Sequence, residues 1–115
     1  MVLDFRVDLE EEAVVPILRV NGEIDIYTCP KLSKAMKDLI DKGTIRLILN
    51  LENVQYIDST GLGAIAHSSH VIAKQGGKVS VVCTRPQVRK IFDVSGLSKK
   101  NIDIFEEESE ALKHI

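Results

Sequence analysis

The sequence predicts a single α/β domain built on a mixed, mostly parallel sheet, with an antiparallel hairpin at its N-terminus and about four helices. Three observations carry that expectation. Ile45, Leu47, Ile48, Leu49 and Leu51 form a nearly continuous apolar run, as a strand covered on both faces of a parallel sheet requires. After it, runs of strand length alternate with segments of helical period, the pattern of βαβ units. Before it, two apolar stretches meet across the acidic turn Glu10-Glu11-Glu12, which makes them a hairpin. A chain of 115 residues is one domain by length, residues 1–115. It can bury roughly two-thirds of the surface exposed by its unfolded form.

Each element has its own signal. Leu3, Phe5, Val7 and Leu9 alternate with Asp4, Arg6, Asp8 and Glu10, the period-two mark of an edge strand with one wet face. The run from Ala13 to Val20 contains Pro16, so it pairs with that strand while Pro16 avoids a ladder position. Leu32, Ala35, Met36, Leu39 and Ile40 fall at the spacing of an amphipathic helix, with Thr28 as N-cap and Gly43 as its stop. Ile45 to Leu51 is the central strand. From Thr60 to Gln75 a second helix directs Leu62, Ile65, Ala66, Ser69, Ile72 and Ala73 inward, leaving Ala64, His67, Val71 and Lys74 outside. Gly76-Gly77 ends it and Lys78 to Thr84 is a further buried strand. Val88, Ile91 and Phe92 mark a short helix before Ser95-Gly96. Ile102 to Phe105 is the last strand, and a glutamate-rich helix starts at Glu106.

Composition narrows the function. A formal net charge of −2 offers no electrostatic reason to approach nucleic acid or an anionic membrane. No apolar run reaches the roughly 20 residues of a membrane helix, and the N-terminus lacks a basic secretory segment. A soluble, unprocessed, cytoplasmic protein is expected. Cys29 and Cys83 have neither metal-ligand nor redox spacing and read as reduced structural thiols. The runs Glu10 to Glu12, Glu106 to Glu108 and Lys99-Lys100 read as solvated faces.

Chemistry concentrates at Asp58-Ser59-Thr60-Gly61-Leu62-Gly63, where a buried strand gives way to a helix. A helix N-terminus has unpaired N–H groups and a partial positive charge, so a phosphate on Ser59 could be held by backbone alone. The hydrolase elbow Gly-x-Ser-x-Gly is absent, since Ile57 lies two before Ser59, and His67 is about two turns away, too far to serve as a base. His67 and His70 share a face but lack further local ligands, so no metal is expected. Gly61-x-Gly63-x-x-Ala66 fits the permissive dinucleotide fingerprint, which makes a small NAD(P)-dependent enzyme a rival reading. The chain is short for one, and its next strand ends in Thr84-Arg85 rather than an acidic residue. Glu23, Asp25 and Asp58 belong to loops that could meet at one end of the sheet; there Asp25 and Asp58 either cap helices and turns or join a partner surface.

Four segments together resemble the anti-sigma factor antagonists, which are STAS domains. They are Asn21-Gly22-Glu23-Ile24-Asp25, read as a turn, the Asp58 to Gly63 junction, Val88 to Leu97, and the glutamate-rich last helix leading to Ala111-Leu112. The resemblance implies a STAS-like fold and a switch protein that is no enzyme and has no cofactor of its own. Unmodified, it would bind an anti-sigma factor that is also a serine kinase, and free the sigma factor. Phosphorylation of Ser59 would release it, and a metal-dependent serine phosphatase would reset it, with ATP and metal belonging to those partners. No direct nucleic-acid or membrane contact is implied. Asp25, Asp58 and Thr60, Gly61, Leu62 and Gly63 match the family's positions around the modified serine and the partner-contacting helix start. The outward helix face extends that surface to Ala64 and His67. Thr60 stands where serine is also common. Ile26 and Tyr27, bulky and loop-borne, are expected to tune which kinase is recognised. Because STAS domains also serve permeases and lipid-transport complexes, an accessory subunit of a transporter is the alternative.

Overall fold

The apolar run ending at Leu51 takes the centre of a sheet. The structure, a computed structural model, describes residues 5–11, 15–97 and 101–115. In chain order the elements are β1 (Arg6–Glu10), β2 (Ile17–Ile24), α1 (Cys29–Asp41), β3 (Arg46–Ile57), α2 (Ser59–Lys74), β4 (Lys78–Val82), α3 (Pro86–Ser95), β5 (Ile102–Phe105) and α4 (Glu108–His114). The strands lie in the order β1-β2-β3-β4-β5; β1 is antiparallel to β2 and the remaining pairs are parallel. The predicted fold class is the observed one.

Strand alternation divides the core. Leu18, Val20, Leu47, Leu49, Leu51, Val79 and Val81 share one face, packed with Leu32 and Met36 of α1, Ile65 and Ile72 of α2, and Val88 and Phe92 of α3. Each parallel strand lies beside its predecessor, so right-handed crossovers place all three helices on that face. On the other face Ile17, Ile48 and Val82 are covered by α4 through Ala111.

Several boundaries differ from the sequence reading. Leu3, Glu12, Ala13, Lys99 and Lys100 lie outside the described residues. Pro16 precedes β2, as its missing N–H requires, and its carbonyl accepts from Ile48 N–H at 3.0 Å. β2 runs on to Ile24, so Asn21 to Ile24 is strand and not turn. The pairing slips by one between Gly22 and Glu23, where Gln55 of β3 is the extra residue, and Gly22 opposite it has φ +111°, a value that glycine adopts without the steric cost of a Cβ. β3 begins after Ile45, which is 40% exposed, and continues to Ile57. Its second half buries Val54 and Ile57 but not Asn53, Gln55 or Tyr56, so the continuous apolar signal stops at Leu51 although the strand does not.

On α2 the buried stripe is Gly61, Ile65, Ser68, Ser69 and Ile72, while Leu62, Ala66 and Ala73 are half-buried. Ala64 and Val71, expected outside, are half-buried in a groove against Ser33, Lys37 and Ile40 of α1. The stripe is rotated toward α1 because small side chains there let the two helices approach. Thr28 is the N-cap of α1 by position, but its backbone is helical and its hydroxyl makes no cap hydrogen bond.

α4 is tied to its face by one polar network. Arg19 of β2 donates from Nε and Nη2 to the two carboxylate oxygens of Glu108, at 2.9 and 2.8 Å, and Asn50 Nδ2 donates to the same carboxylate. Hydrogen bonding from Arg19 holds the Glu108 carboxyl below its usual range. A carboxyl depressed on folding contributes stability that is complete above its unfolded pKa, about 4.3, and fades as pH falls through the folded value. Because the pair is partly solvated, Glu108→Gln is expected to cost only about 1 kcal/mol at neutral pH. Urea titration at pH 7 and at pH 3 is expected to show that difference shrinking in acid.

Candidate functional site

Ile24 and Ile57 are register partners on adjacent strands, so the residues that follow them leave the sheet side by side. Those residues are Asp25 and Asp58, and Asp58 N–H donates back to the Ile24 carbonyl at 3.1 Å. Glu23, expected in a loop with them, is instead within β2 at the same end of the sheet.

Asp58 is the N-cap of α2. Its backbone is extended, its carboxylate accepts from Gly61 N–H at 2.9 Å, and its carbonyl accepts from Leu62 N–H at 3.0 Å. Ser59 and Thr60 are therefore the first two helical residues, and both side chains are exposed. Among the described residues, no hydrogen bond engages the Ser59 or Thr60 hydroxyl, or the backbone N–H of either. No acidic residue lies in the first turn beyond the cap, so the positive end of the helix faces outward at Ser59.

Gly61 makes this junction possible. A Cβ at Gly61 would lie 2.3 Å from Ile24 Cγ2 and 3.1 Å from Ile57 Cγ1. Only a bare Cα lets the first turn of α2 settle on the ends of β2 and β3. Gly63 points the other way, exposed, with nothing within 4 Å of such a Cβ.

Asp25 closes a tight turn. Its Oδ1 accepts from Tyr27 N–H at 2.9 Å and Thr28 N–H at 3.0 Å, and its carbonyl accepts from Cys29 N–H at 2.8 Å. Cys29 then touches the serine-bearing helix, its Sγ 3.7 Å from the Thr60 carbonyl oxygen. Cys29 and Cys83 are both buried, and burial pushes the Cys83 thiol up, so it remains a packed thiol.

The STAS domain family model matches residues 6–111. The chain belongs to the STAS domain family. It is 31% identical over 114 residues to the anti-sigma F factor antagonist of Paenibacillus polymyxa, covering 98% of this chain and 97% of that relative. It is 31% identical over 80 residues to an anti-sigma-B factor antagonist of Staphylococcus aureus, covering 70% and 74%. Among solved structures, an anti-sigma factor antagonist from Mycobacterium paratuberculosis superposes with a TM-score of 0.87 at 26% identity, over 96% of this chain and 92% of the other.

Within this STAS domain the nominated residues divide into two groups. Asp25, Asp58, Ser59, Thr60, Gly61, Leu62 and Gly63 come together where β2 and β3 end. Ala64 and His67 lie farther along α2, in the groove facing α1, with His67 exposed. On the opposite flank of α2, Leu62 shares an apolar groove of about 400 Å³ with Gln87, Lys90, Ile91, Val94 and Ser95. Sequence reasoning missed that groove, although Val94, 77% exposed and off the Val88–Phe92 stripe, was its visible signal.

The rival dinucleotide reading fares poorly here. The N–H of Gly61 is spent on Asp58, and sequential strand order leaves no reversal at which a crevice would open. Among the described residues no group of three or more His, Cys, Asp or Glu is placed to hold a metal, and no helix is long and apolar enough to cross a membrane.

Proposed function

We propose that this protein is an anti-sigma factor antagonist that switches at Ser59. In its unmodified form it binds an anti-sigma factor that is also a serine kinase, through the surface formed by Asp25, Asp58 and the first turn of α2, and the sigma factor is set free. The observation that carries this reading is the state of Ser59, exposed at the first position of a helix whose capping is done by its neighbour. The hydroxyl is thus free to be modified without dismantling the helix start.

In the transfer step Ser59 Oγ bonds the γ-phosphorus of the kinase's ATP, the bond to the β-phosphate oxygen breaks, and ADP leaves. The hydroxyl proton passes to a base of the kinase, because no side chain of this chain is hydrogen-bonded to Ser59 among the described residues. The added phosphate brings about −1.5 to −2 charges next to Asp58. The free N–H groups of Ser59 and Thr60 and the helix dipole can hold it, so the fold survives while the docking surface turns strongly negative. Hydrolysis by a metal-dependent phosphatase restores the hydroxyl.

Incubation with the anti-sigma factor kinases of the host and ATP, followed by tandem mass spectrometry, tests this directly. Phosphate on Ser59, and none on the Ser59→Ala protein, is the expected result. Labelling elsewhere in both proteins at equal rate would remove Ser59 as the switch.

A further inference from the structure

We infer that Ile26 and Tyr27 form a preorganised recognition prong that selects among anti-sigma factor kinases, and that Thr28 is the residue that positions it. The inference rests on the reading of Ser59 as the switch, and it adds which part of the surface discriminates between partners.

The two side chains are displayed rather than packed. Ile26 is 62% exposed and Tyr27 89% exposed, an aliphatic and an aromatic residue side by side on one turn. Exposed apolar residues on a mobile loop would lose conformational freedom on binding, and affinity would suffer. This turn is held from within. Thr28 Oγ1 donates to the Glu23 carbonyl at 2.7 Å and accepts from Asp25 N–H at 2.9 Å, linking the end of β2 to the start of α1. Asp25 Oδ1 takes the N–H groups of Tyr27 and Thr28, so the backbone on either side of the prong is bonded. The hydroxyl expected to cap α1 is used here instead.

Position ties the prong to the switch. The turn leaves the sheet beside Asp58, and the residue that ends it, Cys29, contacts Thr60. A protein that engages Ser59 reaches Ile26 and Tyr27 over the same surface. Chemistry defines the fit. Asp25, the only carboxylate of the turn, has one oxygen, Oδ1, engaged by backbone N–H groups, and beyond it the turn presents a sec-butyl group, an aromatic ring and one phenol hydroxyl. The matching kinase surface is an apolar recess with a single polar group for the phenol. Tyrosine is among the residues that dominate interface energies and is rigid enough to lose little entropy when it docks.

The test measures affinities of two host anti-sigma factor kinases, the one that phosphorylates Ser59 fastest and one that does so slowly. Wild type, Ile26→Ala, Tyr27→Ala, Thr28→Val, Thr28→Ser and Ser59→Asp are each titrated with ADP present, and thermal unfolding of each is recorded. Tyr27→Ala is expected to weaken the preferred kinase about tenfold and the other by much less, collapsing the preference with no change in unfolding temperature. Thr28→Val is expected to reproduce that loss and Thr28→Ser to restore it. If Ser59→Asp abolishes binding while the Ile26 and Tyr27 variants keep wild-type affinity and preference, the prong is wrong and the switch stands. Wild-type affinity in Ser59→Asp overturns the switch and the prong together. Self-association of the wild type that Tyr27→Ala abolishes, with kinase affinity unaltered, assigns the turn to a second copy and also overturns the inference.

Discussion

Ser59→Asp is expected to weaken binding of the anti-sigma factor kinase by about 100-fold, whereas Ser59→Ala binds within about threefold of wild type. The first substitution places a fixed charge at the middle of the proposed contact, next to the Asp58 carboxylate. A misplaced like charge in an interface costs several kcal/mol, and each 1.4 kcal/mol is a factor of about ten. Alanine removes only a hydroxyl that makes no hydrogen bond among the described residues. Stability should move the other way. A carboxylate in the first turn of a helix with no other acidic residue there gains about 0.3–1 kcal/mol from the dipole, so Ser59→Asp unfolds at equal or higher urea concentration. Calorimetric titration beside urea denaturation separates the two effects. Lost binding together with lost stability would mean that the residue is structural.

Gly61→Ala is expected to destabilise the protein by about 2 kcal/mol, against the ordinary preference of helices for alanine. In an exposed helix the exchange would stabilise by about 1 kcal/mol. Here the new methyl would overlap Ile24 Cγ2, a β-branched group at 0% exposure that cannot swing aside. Relief requires α2 to lift off the sheet, which also stretches the Asp58 to Gly61 cap. Gly63→Ala, in open space two residues on, shows the opposite sign in the same assay and gains up to about 1 kcal/mol. Adding Ile24→Ala to Gly61→Ala should recover part of the loss relative to Ile24→Ala alone. Additive costs in that double-mutant cycle would locate the strain elsewhere.

Much of this molecule was legible from residue patterns. The amphipathic spacing of Leu32, Met36 and Leu39 marked α1, and all three are buried. The period-two alternation of Phe5, Val7 and Leu9 marked the edge strand. The Asp-Ser-Thr-Gly order at a strand-to-helix junction singled out Ser59, because a cap, an exposed hydroxyl and a glycine in succession are a local signal. Element ends were less legible. β3 past Leu51 buries only scattered positions, and the pairing that sustains it belongs to β2, so no run of apolar residues announces it.

By itself, then, the sequence determined the elements, their order, the mixed sheet and the strand-to-helix junction that carries Ser59, the serine proposed as the switch. These depend on side-chain period and backbone conformational preference, which act over a few neighbouring residues. Tertiary structure alone decided that Asp25 and Asp58 emerge together, that Gly61 lies against Ile24, and that Arg19, Asn50 and Glu108 lock α4 to the sheet. It also turned the Thr28 hydroxyl from α1 to the strand end, where it bonds the Glu23 carbonyl and the Asp25 N–H and closes the turn that carries Ile26 and Tyr27. Each of these is a choice of partner between residues distant in the chain or between competing acceptors. Such choices are set by strand register and packing, which exist only once the sheet has formed.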